Sequence, residues 1–144
     1  MQVPHDAMVV VADGRKLLML RNEGDAEFLN LQVVQKQSHA NPRTSDQTTD
    51  SSGRSAAPAG HGTMGETDFH QLEEDRFAAE VAAMLRAQAL QNAFESLIIV
   101  APPKTLGALR EQYHSSVTDR LAGELAKDLT GHPLPDIERA LRDA

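Results

Sequence analysis

The sequence predicts an α/β protein built on a mixed five-stranded sheet, with elements in the order β-β-β-α-β-α-β-α. Three observations predict it. Leu97-Ile98-Ile99-Val100-Ala101 is a short aliphatic run stopped by Pro102 and Pro103, the pattern of a central strand buried on both faces, and a helix follows at once. Met8-Val9-Val10-Val11-Ala12 runs into Asp13-Gly14 and returns as Arg15 to Arg21, which reads as a hairpin. From about Ser38 to Gly65 the aliphatic periodicity disappears, setting the strands before it apart from the helices and strands after it.

Taken in order, Asp13-Gly14 suits a two-residue type I′ turn because both central positions there need φ > 0. After a second turn over Asn22 to Ala26, Leu29, Leu31 and Val33 alternate with Asn30 and Gln32, predicting a third strand with those three residues on the core. Ser, Thr, Gly, Pro, Asn and Asp dominate 38–65 and bury too little apolar surface to offset backbone ordering, so a flexible loop inserted in the domain is expected. A helix then starts at Thr67-Asp68, carries acids in its early turns and places Phe77, Val81, Met84 and Leu85 on one stripe up to about Leu90.

Pro103 fits a first helical turn because its missing N–H has no partner there, and this helix is expected to reach about Tyr113. Val117, Leu121, Leu125 and Leu129 are spaced by four, so helix and strand both stay open over 117–129. A strand over Arg120 to Ala126, with its leucines on one face, is preferred because it covers the neighbouring parallel strand. Thr130, Pro133 and Pro135 announce a last helix whose apolar positions are Ile137 and Leu141. Three meander strands extended by right-handed crossovers give a ribonuclease H-like plan, broadly defined.

Length and composition bound the function. The 144 residues support one core, so a single domain over 1–144 is expected. A net charge of -7 disfavours non-specific attraction to phosphate backbones. The absence of cysteine excludes disulfides and thiolate metal sites, and no apolar run approaches a membrane span of about 20 residues, so a cytoplasmic location is expected. The six histidines are scattered without a His-x-x-x-His pair, and no carboxylate set converges on one strand end, so no metal, no cofactor and no catalytic residue is assigned. Asp13 is explained by its hairpin, and Ser115-Ser116 lacks a nucleophile elbow.

With Val9-Val10-Val11-Ala12-Asp13-Gly14 at the start, Leu97 to Arg110 in the middle and Lys127-Asp128-Leu129-Thr130 near the end, the chain resembles the bacterial host attachment protein family over essentially its whole length. The most specific pieces are Val100-Ala101-Pro102-Pro103 with Leu106-Gly107-x-Leu109, and the Lys-Asp-Leu-Thr run. That family is named for a phenotype, a requirement in attachment to host cells. It is similar in fold and element order to the middle domain of archaeal and eukaryotic peptide-chain release factors. There, a loop between the third strand and the first long helix carries a Gly-Gly-Gln tip that promotes peptidyl-tRNA hydrolysis.

The corresponding stretch, roughly Thr49 to His70, holds Gly53-Arg54-Ser55 and Gly60-His61-Gly62 but no Gly-Gly-Gln, so the resemblance carries no hydrolytic residue across. Candidate binding residues are Gly60, His61 and Gly62 at the loop tip, Arg15 and Lys16 on the first hairpin with Arg21 beside them, and Lys104 at a helix N-terminus. The resemblance implies a non-enzymatic interaction protein that presents its loop to an unidentified macromolecular partner. The alternative is a translation-associated factor that binds the ribosome or tRNA without the Gly-Gly-Gln motif.

Overall fold

A computed structural model of the chain describes residues 1–38 and 62–144, with side chains described from Phe69 onward in the second stretch. Strands β1 (Met8–Ala12), β2 (Lys16–Asn22) and β3 (Leu31–Ser38) form an antiparallel meander. There follow α1 (Gly62–Leu90), β4 (Leu97–Ala101), α2 (Pro103–Arg110), the short α3 (Ser115–Thr118), β5 (Leu121–Ala126) and α4 (Leu134–Asp143). The five-stranded sheet has the order β3-β2-β1-β4-β5, with β4 parallel to both β1 and β5.

Every residue of β1 and β4 is buried, as their unbroken aliphatic runs require. Alternation along each strand sends side chains to two different cores. Met8, Val10, Ile99 and Ala101 pack with Phe77, Val81 and Leu85 of α1 and Leu106 and Leu109 of α2. Val9, Val11, Ile98 and Val100 pack on the other face with Ile137 and Leu141 of α4. The end of α1 is closed by Asn92 at φ 58°, with the Ala93 N–H donating to the Gln88 carbonyl and the Asn92 N–H to the Ala89 carbonyl. That pair of bonds is a Schellman cap, and asparagine tolerates its left-handed position better than most side chains.

Several expectations need correction. Neither Asp13 nor Gly14 has positive φ, so the first hairpin is not closed by a type I′ turn. Instead the Asp13 N–H donates to the Lys16 carbonyl at 3.0 Å, and Asp13 Oδ1 accepts the N–H groups of Arg15 at 2.7 Å and Lys16 at 2.6 Å. A side-chain acceptor replaces the left-handed residues. In β3, Leu31 is buried but Val33 is 44% exposed, because α4 is short and does not reach that part of the sheet. The strand also runs on to Ser38, and a register shift opposite Met19 and Leu20 leaves Val34 as an extra, unpaired residue.

The expected loop over 38–65 falls chiefly on 39–61, outside the described residues. Its ends differ from expectation, since Ser38 belongs to β3 and α1 begins at Gly62 rather than at Thr67-Asp68. Helix α2 stops at Arg110, short of Tyr113, because His114 takes an extended conformation and caps α3 by accepting the Ser116 N–H at 3.1 Å. The open stretch 117–129 resolves into the end of α3 and the strand β5. Its leucines do not share a face: a register shift after Leu97 turns Leu121 toward the α1 core and Leu125 toward the α4 core.

Candidate functional site

The parallel strands β1 and β4 end side by side, and such strand ends are where α/β sheets collect binding groups. The β1–β2 hairpin tip stands there. Its Asp13 carboxylate is fully engaged, since Oδ2 accepts the Thr130 hydroxyl at 2.8 Å while Oδ1 holds the two backbone donors of the turn. The same hydroxyl lies 3.1 Å from Asp128 Oδ1, so the Lys127–Thr130 stretch after β5 is tied to the hairpin. Gly14 lets α1 approach, because a Cβ at that position would lie 2.8 Å from Cγ of Glu74.

Arg15 and Lys16 are both exposed at this tip. Arg15 Nη2 comes within 3.5 Å of His70 Nδ1 on α1, and Lys16 sits opposite Ser38, the last residue of β3. The tip therefore lies between the strand that leads into 39–61 and the helix that follows it. Lys104 is exposed on the first turn of α2, which leaves β4 at the same end of the sheet. Asp13, Glu74 and Asp128 are the acids among these cations.

Arg21 does not belong to this group. It pairs with Met8 at the far end of the hairpin, roughly 17 Å from Lys16 at about 3.3 Å per strand residue. There its guanidinium donates to the Asp6 carbonyl at 3.0 Å and the Ala93 carbonyl at 2.9 Å, a structural clamp. Of the proposed tip, Gly60 and His61 lie outside the described residues and Gly62 opens α1.

Beside the hairpin cations, on the α4 face, an open groove of about 810 Å³ runs between β2–β3 and the 130–134 segment. Lys16, Lys36 and His132 supply its basic groups, Leu18, Val33 and Leu134 its apolar floor, and among the described residues no acid lines it. Sequence reasoning missed this groove. The signal available was β3 itself, in which Leu31 to Ser38 contain Lys36 and no acid.

Among the described residues three titratable groups have shifted pKa values, and none lies in the groove. Hydrogen bonds from the Phe28 and Glu27 N–H groups hold the exposed Asp25 carboxyl below its usual value. Burial, then the nearby Glu124 charge, pushes the Tyr113 phenol well above its usual value. A hydrogen bond to Glu124 raises Arg110, whose Nη2 lies 2.8 Å from Glu124 Oε1 and ties α2 to β5. Among the described residues no three histidines or carboxylates are placed to hold a metal ion. The chemistry this end of the molecule offers is cationic and hydrogen-bonding contact.

A sequence model of the bacterial archaeo-eukaryotic release factor family 12 matches residues 6–141. The chain belongs to this family. The family 12 match runs from just before β1 into α4 and so takes in all the strands of the sheet. The chain is also 34% identical over 77 residues to the uncharacterized protein RP470 of Rickettsia prowazekii (strain Madrid E). That alignment covers 52% of this family 12 chain and 51% of the relative. Among the described residues no helix is long and apolar enough to cross a membrane.

Proposed function

We propose that this protein is a translation-associated binding factor that docks on ribosomal RNA or tRNA through the β1–β2 hairpin tip, without Gly-Gly-Gln-type hydrolysis. The observation that carries the reading is the position of Arg15 and Lys16. These two exposed cations stand between Ser38 and His70, the flanks of the segment that corresponds to the working loop of release-factor middle domains. Family membership supports the same direction. The arrangement is read as middle-domain-like and ribonuclease H-like, with residues 1–144 acting as one domain, and its support is the strand order together with the family match.

Lys104 and the Gly60-His61-Gly62 stretch are proposed as further contacts. A chain of net charge -7 needs its cations gathered locally to hold RNA; Arg15 and Lys16 are adjacent at the hairpin end of the sheet, the end at which Lys104 also lies. Attachment to host cells keeps the support of the Val100-Ala101-Pro102-Pro103 and Lys127–Thr130 motifs, and it ranks second because the matched family is described by release factors.

Ribosome co-sedimentation tests the reading. The protein should pellet with ribosomes at low salt and dissociate as salt rises, because each phosphate contact releases counterions. The Arg15→Glu, Lys16→Glu double variant should lose most of that binding while keeping the circular dichroism spectrum and melting temperature of the parent. No pelleting at low salt, or pelleting that the double variant retains in full, would remove the ribosomal reading.

A further inference from the structure

We infer that the β3 edge and the groove beside it form a docking site for an extended acidic peptide, which adds to the sheet as a further strand and lays acidic side chains over Lys36 and Lys16. This surface shares Lys16 with the hairpin tip of the RNA reading and otherwise lies along β3 and the groove.

Four observations converge on it. β3 stands at the end of the strand order, so among the described residues one side of its backbone has no partner strand. Natural edges are usually blunted, and here the blunting is partial. The Leu31 N–H is taken by Glu138 Oε2 of α4 at 2.8 Å and Val34 forms a bulge, and among the described residues no strand pairs with the outer side of the stretch toward Ser38. Val33 and Val34 are 44% and 52% exposed, and Val33 lines the groove.

The groove adjoins that open stretch. Because Lys36 pairs with Leu18 and Ser38 with Lys16, both lysines lie on the groove face of the sheet, and His132 faces them from the segment before α4. Among the described residues no acid lines the groove, in a chain whose net charge is -7.

Charge selects the occupant. A second copy of the chain pairing β3 with β3 would bring a strand that carries Lys36 and no acid, so it would offer the groove's lysines no opposite charge. A peptide that alternates apolar and acidic residues matches both features. Its backbone pairs with the edge, its acids reach the lysines, and its apolar residues meet Val33 and Leu18.

The test is titration of the full chain, followed by amide chemical shifts, with a capped octapeptide of alternating valine and glutamate. Two controls are the valine–lysine counterpart and a valine–glutamate peptide N-methylated on alternate residues in each of the two registers. Binding should centre on β3 amides, be lost in one N-methylated register and not the other, and be absent for the lysine peptide. The Lys36→Glu variant should weaken it roughly fivefold or more. Equal binding of the lysine peptide, or indifference to N-methylation in both registers, overturns strand addition. Tighter binding of a single-stranded RNA octamer at the same amides overturns the peptide class. Dimerisation of the protein through β3 in sedimentation equilibrium overturns the choice of occupant.

Discussion

Asn22 shows how much one polar side chain can organise when it is fully buried and fully paired. Its Nδ2 faces the carbonyls of Val3 at 3.0 Å, Pro4 at 3.2 Å and Asp25 at 3.3 Å, and its Oδ1 accepts the N–H groups of Gly24 at 2.9 Å and Asn30 at 3.0 Å. One side chain thus joins the N-terminal segment to the β2–β3 turn. Asn22→Ala should cost about 3 kcal/mol in chemical denaturation, because buried backbone groups lose their partners together. A loss below about 1 kcal/mol would mean that water replaces the amide without penalty. Gly24 is equally constrained, since a Cβ there would lie 2.0 Å from the Phe28 carbonyl oxygen.

Tyr113 gives a residue-scale test of pH linkage. The chain contains a single tyrosine and no tryptophan, so tyrosinate absorbance reports this phenol alone. Its pKa is raised in the folded state by burial and then by Glu124, so the protonated phenol favours folding. The contribution is complete below the ordinary value of 10.0 and is lost as pH climbs from there toward the folded value. Absorbance should therefore titrate later in the native protein than in denaturant. Tyr113→Phe should flatten the alkaline decline in stability, and coincident native and denatured titrations would refute the shift.

At the scale of elements, the cap of α1 carries a clean prediction. Asn92 has φ 58°, and Arg120 Nη2 donates to its side-chain oxygen at 2.9 Å. Asn92→Ala should cost about 1 kcal/mol, because a Cβ without a compensating side-chain bond is strained in the left-handed region. Asn92→Gly should cost less, since it relieves the strain while losing the arginine contact, and thermal melts of the two variants compare them directly. The same scale shows what the sequence made legible. Unbroken aliphatic runs located β1 and β4, and the Phe77, Val81, Leu85 stripe located the buried face of α1.

What escaped were features decided by a partner rather than by local pattern. Val33 alternates correctly, yet its exposure depends on how far α4 reaches. Leu121 and Leu125 have the spacing of one strand face, and a register shift against β4 separates them. In the candidate site, Arg15 and Lys16 were legible as exposed hairpin cations. Arg21 was not distinguishable from them until its bonds to the Asp6 and Ala93 carbonyls placed it at the other end of the strand.

For the whole molecule, the sheet separates two cores that, among the described residues, meet through the strands. Val81 lies in the core beneath α1 and Ile137 in the core beneath α4. Val81→Ala should cost about 2 kcal/mol and Ile137→Val about 1 kcal/mol, by lost burial and residual cavity. The double variant should show their sum within about 0.5 kcal/mol, because the sites share no partner. A larger discrepancy in denaturant midpoints would show that the sheet transmits repacking from one face to the other.

The strand order also dictates how this chain must assemble as it is synthesised. Met8 pairs with Leu97, so β1 waits 89 residues (97 − 8) for its second neighbour, while β2 and β3 emerge next to it. The meander is complete early, yet Val9, Val11 and Leu20 lack the cover of Ile137 and Leu141 until α4 has left the exit tunnel. During that interval a sticky half-built sheet exists in every nascent copy, and non-local pairing of this kind closes slowly. Helix α4 is thus the latch of the fold. A nascent chain stalled before Leu134 should be the species that trigger-factor-type chaperones hold and that proteases clear.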